Sequence, residues 1–156
     1  MTLAQEYAAG SRKEMLDIIV KAMNWTVVDQ FDSVHNFIEH DNFRSGTIRK
    51  GATSAKEGER LVIPLNMRDG SLICIGKGNE DWNNSAPHGA GRMMSRAQAK
   101  REIDMETFTS QMTDVYSSSV LDSTLDEAPD AYKPAESILE HIKPTADVLH
   151  IVKPVY

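Results

Sequence analysis

The stretch Leu61-Val-Ile-Pro64-Leu-Asn66-Met-Arg-Asp-Gly70-Ser71-Leu-Ile-Cys74-Ile75 reads as two short apolar strands, Leu61–Ile63 and Ser71–Ile75. Between them lies a loop whose proline, asparagine, aspartate and glycine are turn formers. A pair of this kind predicts a β core in the middle of the 156-residue chain. Upstream, Leu3 to Met23 carries Leu3, Tyr7, Met15, Ile18, Ile19 and Ala22 near helical spacing, with Gly10–Ser11 as its weak point. Trp25–Val28, Ser33–Glu39 and Gly46–Ile48 are short β-rich runs, and Ala55–Arg60 is a polar turn. Downstream, Lys77–Pro87 reads as a polar loop and Arg92 to Glu102 as a helix. Asp104 reads as the N-cap of a further short helix. Val115–Val120 is a serine-rich strand candidate and Leu125–Asp130 an acidic loop. Pro134 to Ile142 is a helix with proline in its first turn, and Val148–Val152 is a closing strand. The expected class is α+β, a mostly β core with flanking helices, organised as one domain over 1–156.

The composition, 40% hydrophobic and 26% charged, is that of an ordinary globular domain. No apolar run approaches a membrane span, and Glu6 with no apolar stretch after it argues against a signal peptide. Cys74 is the sole cysteine and sits in the apolar run Ser71–Ile75, so it reads as a buried structural thiol. The absence of a disulfide framework fits a reducing compartment, and a cytoplasmic location is expected. The net charge of −6 is unevenly distributed. Residues 41–101 hold 11 Lys and Arg against 6 Asp and Glu, whereas residues 102–156 hold 3 against 11. The basic block would steer a phosphate backbone, although charge blocks alone favour two solvated faces of opposite sign.

Within the basic block lies Ala86-Pro-His88-Gly-Ala-Gly-Arg92-Met-Met-Ser-Arg96. A glycine-rich turn lets phosphate approach backbone N–H groups, and a histidine beside it can attack phosphorus. Arg92 and Arg96 share a face if a helix starts here, and guanidinium forks bind phosphate oxygens bidentately. Taken alone, HGAG is also a glycine turn bearing a surface histidine, and the arginines are also helix-surface partners of Glu102 or solvent.

Four stretches in series, His35–Asn36, Arg49-Lys50-Gly51-Ala52, Ile63 to Gly78 and Ser85 to Arg96, resemble the RtcB-type RNA ligases. Glu127-Ala-Pro-Asp-Ala-Tyr132-Lys133 extends the likeness, which covers essentially the whole chain but only the C-terminal part of that family. The resemblance implies a GTP- and manganese-dependent enzyme. It would join RNA 2′,3′-cyclic phosphate or 3′-phosphate ends to 5′-hydroxyl ends through a histidine–GMP intermediate. His88 is then the catalytic nucleophile. His35, Asn36, Pro64, Leu65, Asn66, Met67, Ser71, Gly89, Ala90, Gly91 and Tyr132 line the nucleotide, with Tyr132 on the guanine base. His35 is the one metal ligand retained, and Lys50, Arg92 and Arg96 meet RNA phosphate. Leu65–Asn66 and Arg68–Asp69 depart from the glycine–serine and glycine–threonine usual in the family, and Pro87 from its polar or small residue. Glu39, His40 and Asp41 read as a polar strand end rather than as further ligands. The expected partners are RNA, GTP and the missing N-terminal half in cis or in trans, with no membrane, and the isolated chain is expected to be inactive. The alternative is a non-catalytic module binding guanine nucleotide or RNA phosphate.

Overall fold

The computed structural model describes residues 2–42 and 45–154. In chain order it contains α1 (Thr2–Ala22), β1 (Asn36–Asn42), β2 (Ser45–Lys50), β3 (Ala52–Ser54), β4 (Arg60–Asn66) and β5 (Gly70–Gly76). These are followed by β6 (Ser85–Pro87), α2 (Arg96–Glu102), α3 (Met105–Gln111), α4 (Ala135–His141) and β7 (Ala146–Val152). The class is α+β. β4 and β5 pair antiparallel, as their sequence predicts, and β7 adds to the far side of β5 to give the order β4-β5-β7. β1 pairs with β2, and β3 with β6, as separate antiparallel two-stranded units.

Strand periodicity decides what is buried. Leu61, Ile63 and Leu65 of β4 and Leu72 and Cys74 of β5 point to one face, where Ile138 and Ile142 of the α4 region cover them. Full burial of each such aliphatic side chain contributes roughly 1.5–3 kcal/mol. A second core gathers Ala99 of α2 and Phe108 of α3, Ile103 and Met112 that cap the ends of those helices, and Leu125, Ala128 and Ala131. Tyr132 packs against both cores. α1 lies against the body mainly through polar ties. Gln5 exchanges two hydrogen bonds with the Ile38 backbone, and Arg12 forks onto Asp32. Gly10–Ser11 does not interrupt it.

Several local expectations are corrected. Val115–Val120 is not a strand: Ser117 Oγ accepts the Ser119 N–H at 3.1 Å, a local bond that competes with strand pairing. Leu125–Asp130 is not an open acidic loop but two 3₁₀ turns, Asp122–Glu127 and Pro129–Ala131, with Leu125 and Asp126 buried. Trp25–Val28 finds no partner strand among the described residues and leaves Trp25, Val27 and Val28 exposed. The helix expected from Arg92 starts only at Arg96, where the Ser95 hydroxyl caps the Gln98 N–H. Asp104 does cap α3, accepting the Thr107 N–H at 2.7 Å. β3 and β6, three residues each, carry too little pattern to read from sequence.

Cys74 is fully buried at the centre of β5, and burial pushes its thiol up to about 11. A thiol-labelling reagent at pH 8 is therefore expected to leave the native chain unmodified and to label one cysteine once denaturant is added. Fast labelling of the native chain would contradict this placement.

Candidate functional site

His88 follows directly from β6, whose last residue, Pro87, lies opposite Ala52 of β3. This pairing sets the imidazole beside Gly51, and Nδ1 lies 2.6 Å from the Gly51 carbonyl oxygen. A carbonyl only accepts, so Nδ1 carries the proton, and in the neutral ring Nε2 keeps the lone pair. Gly51 has φ +72°, and its N–H donates to the His35 carbonyl at 3.2 Å. The His35 ring stacks on the His88 ring with centroids 4.9 Å apart and planes 18° apart. Asn36 and Lys50 are register partners across β1 and β2. Thus His35, Asn36, Lys50 and His88, separated by up to 53 positions in sequence, are gathered around Gly51.

The glycine turn is fastened to the β core. The Ala90 N–H donates to the Pro64 carbonyl at 3.0 Å, and Ala90 itself is buried. A Cβ on Gly89 would come within 3.2 Å of that same carbonyl, so the close approach favours glycine. Gly91 has φ +71°, which also favours glycine. Among the described residues no acceptor takes the N–H of Gly89 or of Gly91.

Arg92 and Arg96 do not share a helix face, because Arg92 precedes α2 in an antiparallel bridge with Tyr132. They meet instead on an acidic pair. Arg92 donates to the Tyr132 hydroxyl at 3.0 Å, to the Met94 carbonyl at 3.2 Å and to the Asp126 carbonyl, and its guanidinium lies 4.8 Å over the Tyr132 ring. Arg96 holds the Asp126 carboxylate at 2.6 Å and also that of Glu127, while Lys100 lies 3.3 Å from Asp126. The Tyr132 hydroxyl donates to Glu127. One face of the tyrosine ring is therefore taken by Arg92, and a base packed on Tyr132 has only its remaining surface.

The loop after Ile63 divides by role. Leu65 is buried in the first core, which denies its side chain access to a ligand. Asn66 accepts the N–H groups of Arg68 and Asp69 and donates to the Asp69 carboxylate at 2.8 Å, so its amide closes the β4–β5 connection. Met67 packs against the second core, and Ser71 is half-buried opposite Pro64. Glu39 is bound by Arg49 and Lys56; the side chains of His40 and Asp41 lie outside the described residues. Among the described residues no three His, Cys, Asp or Glu side chains form a group fit to hold a metal. His35 offers one imidazole, short of the roughly six donors that manganese takes, so the donor set does not fit a complete manganese site.

The tRNA-splicing ligase RtcB family model matches residues 1–156, the full chain. The chain belongs to the RtcB family. It is 28% identical to the RNA-splicing ligase RtcB of Escherichia coli strain K12, and 30% identical to the RNA-splicing ligase RtcB1 of Escherichia coli strain ATCC 25922. Each alignment covers 97% of this chain and 40% of the relative. It is 30% identical to the tRNA-splicing ligase RtcB of Aeropyrum pernix over 70% of this chain and 28% of that relative. The chain therefore spans about two fifths of the length of the Escherichia coli relatives.

In this RtcB-family chain, sequence reasoning passed over two supports of the site. Arg49 is buried at 4% exposure and donates to Ser85 Oγ at 2.9 Å, to Glu39 at 2.8 Å and to the Asn83 carbonyl, which ties β2 to the segment entering β6. Its place in Arg49-Lys50-Gly51 was visible, but its inward direction was not. Asp126 and Glu127 were read as loop acids, and only their pairing with Arg96 reveals them as its counter-charges.

Arg96 holds the Asp126 carboxyl below the usual carboxylate range, with Lys100 adding to the effect. A depressed carboxylate stabilises the fold above its unfolded value of about 4, and that contribution is lost as pH falls through the lowered folded value. Urea midpoints measured from pH 5 downward should fall more steeply in the native sequence than in Arg96→Gln. Parallel curves would show that the pair adds nothing to stability.

Proposed function

We propose that this chain carries the nucleotide-transfer face of an RNA ligase, with His88 as the nucleophile that accepts GMP from GTP. The observation that carries the reading is the His88 imidazole with Nδ1–H fixed on the Gly51 carbonyl, beside a glycine turn with free N–H groups. Family membership supports it. In the reaction, His88 Nε2 attacks the α-phosphorus of GTP. The bond to the β-phosphate oxygen breaks, pyrophosphate departs, and the imidazole holds GMP through a P–N bond. Proton loss from Nδ1 toward the Gly51 carbonyl side is not required, since the charged adduct retains its hydrogen bond there. GMP then passes to an RNA 3′-phosphate, itself opened from a 2′,3′-cyclic phosphate, and a 5′-hydroxyl displaces GMP to close the RNA strand.

The chain's own residues contribute binding and orientation. The Gly89 and Gly91 N–H groups face phosphate oxygens, His35 stacks the nucleophile in place, and Asn36, Pro64, Met67, Ser71 and Tyr132 border the nucleotide. Lys50, Arg92 and Arg96 contribute positive charge toward RNA phosphate, with Arg96 exchanging its carboxylate partners for phosphate oxygens. His35 is the one donor this chain's described residues would offer to manganese, which would supply charge neutralisation on the phosphates. The reading of a non-catalytic phosphate-binding module is favoured for the isolated chain by that same single donor.

Fusing this chain to the part of the Escherichia coli relative that it does not match supplies a full-length protein for the test. With manganese and α-labelled GTP, mass spectrometry is expected to find one GMP adduct, on His88, and none in His88→Ala. An adduct that survives in His88→Ala refutes the assignment, as does a single adduct mapped elsewhere.

Binding of a 3′-phosphorylated RNA should weaken in Lys50→Ala and in Arg96→Ala. The slope of log affinity against log salt should become shallower by roughly 0.7 to 0.9 for each phosphate contact removed. Filter binding across a salt series measures it, and unchanged slopes in both variants would place these cations off the RNA path.

A further inference from the structure

We infer that Lys133 is the cation that receives a terminal phosphate dianion at the glycine turn, a role that deepens the reading of His88 and rests on it. The antiparallel bridge between Arg92 and Tyr132 lays residues 131–133 alongside 91–93. The Lys133 N–H donates to the Gly91 carbonyl at 3.0 Å, which fixes the lysine backbone against the turn. Its side chain crosses Gly91, where a Cβ on that glycine would lie 3.9 Å from Lys133 Cε. The residue is exposed, and among the described residues its ammonium has no hydrogen bond or ion pair.

Lys50, on β2, is likewise exposed and without an ion pair among the described residues, but the cations that follow the turn in sequence differ in this respect. Arg92 is enclosed by two carbonyls, the Tyr132 hydroxyl and the Tyr132 ring. Arg96 is neutralised by Asp126 and Glu127, and Lys100 also leans on Asp126. A phosphate reaching Arg96 must displace two carboxylates, whereas one reaching Lys133 displaces only water. The N–H groups of Gly89 and Gly91, two residues apart in the turn and without an acceptor among the described residues, are then the donors that would share the anion with the lysine. A flexible ammonium on four methylenes suits a ligand that later changes from phosphate monoester to diester, because it follows the oxygens without a fixed fork. His88 borders the same turn, so the phosphate held there is adjacent to the nucleophile.

The test uses the 156-residue chain and ¹⁵N-resolved NMR of the Gly89 and Gly91 amides during titration with inorganic phosphate. In the native sequence both amides should shift saturably. Lys133→Ala should weaken this response about fivefold, the upper range for one exposed charge pair, while Lys133→Arg restores most of it. Lys77→Ala removes the same unit of charge elsewhere and should match the native sequence. Thermal unfolding of Lys133→Ala should coincide with that of the native chain, since the ammonium has no partner among the described residues to lose. Repeating the titration with GMP and with a 3′-phosphorylated oligoribonucleotide shows which of them the cradle holds more tightly, and either one saturating it supports the assignment. Native and Lys133→Ala responses that coincide overturn the role of Lys133 and leave that of His88 standing. Amides in the native chain that do not respond to any of the three ligands overturn the phosphate cradle itself, and with it the functional reading.

Discussion

One hydrogen bond, from the Ala90 N–H to the Pro64 carbonyl, anchors the chemistry to the fold. Pro64 has no N–H of its own to give the ladder, but its carbonyl remains available, and the glycine turn takes it. Ala90 is small enough to be buried at that junction, and Gly89 is small enough to pass the carbonyl. The turn is thereby held rigid at its centre while the N–H groups on either side stay open. The same β4–β5 pair that supplies this carbonyl also supplies the largest share of the first core. Stability and site geometry therefore share one element, which suits positioning within tenths of an ångström.

Around that anchor the charges fall into two kinds. Arg49, Arg92 and Arg96 look like a basic surface in the sequence, yet each is matched by acceptors within the chain. Arg49 is nine-tenths or more buried and works as a strut between β2 and the entry to β6. Burial leaves a guanidinium stable only when its donors are met, and its four acceptors meet that need. The acidic half of the sequence is thus partly folded back on the basic half. Near the glycine turn, Lys50 and Lys133 are exposed cations without an ion pair among the described residues, whereas Arg96 must exchange its carboxylates to meet an anion.

Much of the fold was legible because it obeys simple periods. Leu61, Ile63, Leu72 and Cys74 alternate, Asp104 is a textually visible cap, and Pro134 marks a helix start. The errors fell where local chemistry overrides the pattern. The Ser117 hydroxyl bonds locally across residues 117–119, and the Arg92–Tyr132 bridge holds residues 92 and 93 out of the helix, so that α2 begins only after the Ser95 cap. The resemblance places Leu65 and Asn66 in a nucleotide-facing loop, and the structure adds that the Leu65 side chain fills the core while the Asn66 amide closes the β4–β5 turn.

By itself the sequence determined the residue types of the site: a histidine in a glycine turn, a second histidine far upstream, and cations between them. It also determined the β pair on which they rest, because alternation of apolar residues is a property of neighbours along the chain. Only the tertiary structure decided which nitrogen of His88 is free, which arginines are already paired, and that Lys50 and Lys133 are not paired among the described residues. Those facts depend on contacts across 30 to 53 positions, between Gly51 and His88, Arg96 and Asp126, and His35 and His88, whose energies no local pattern encodes.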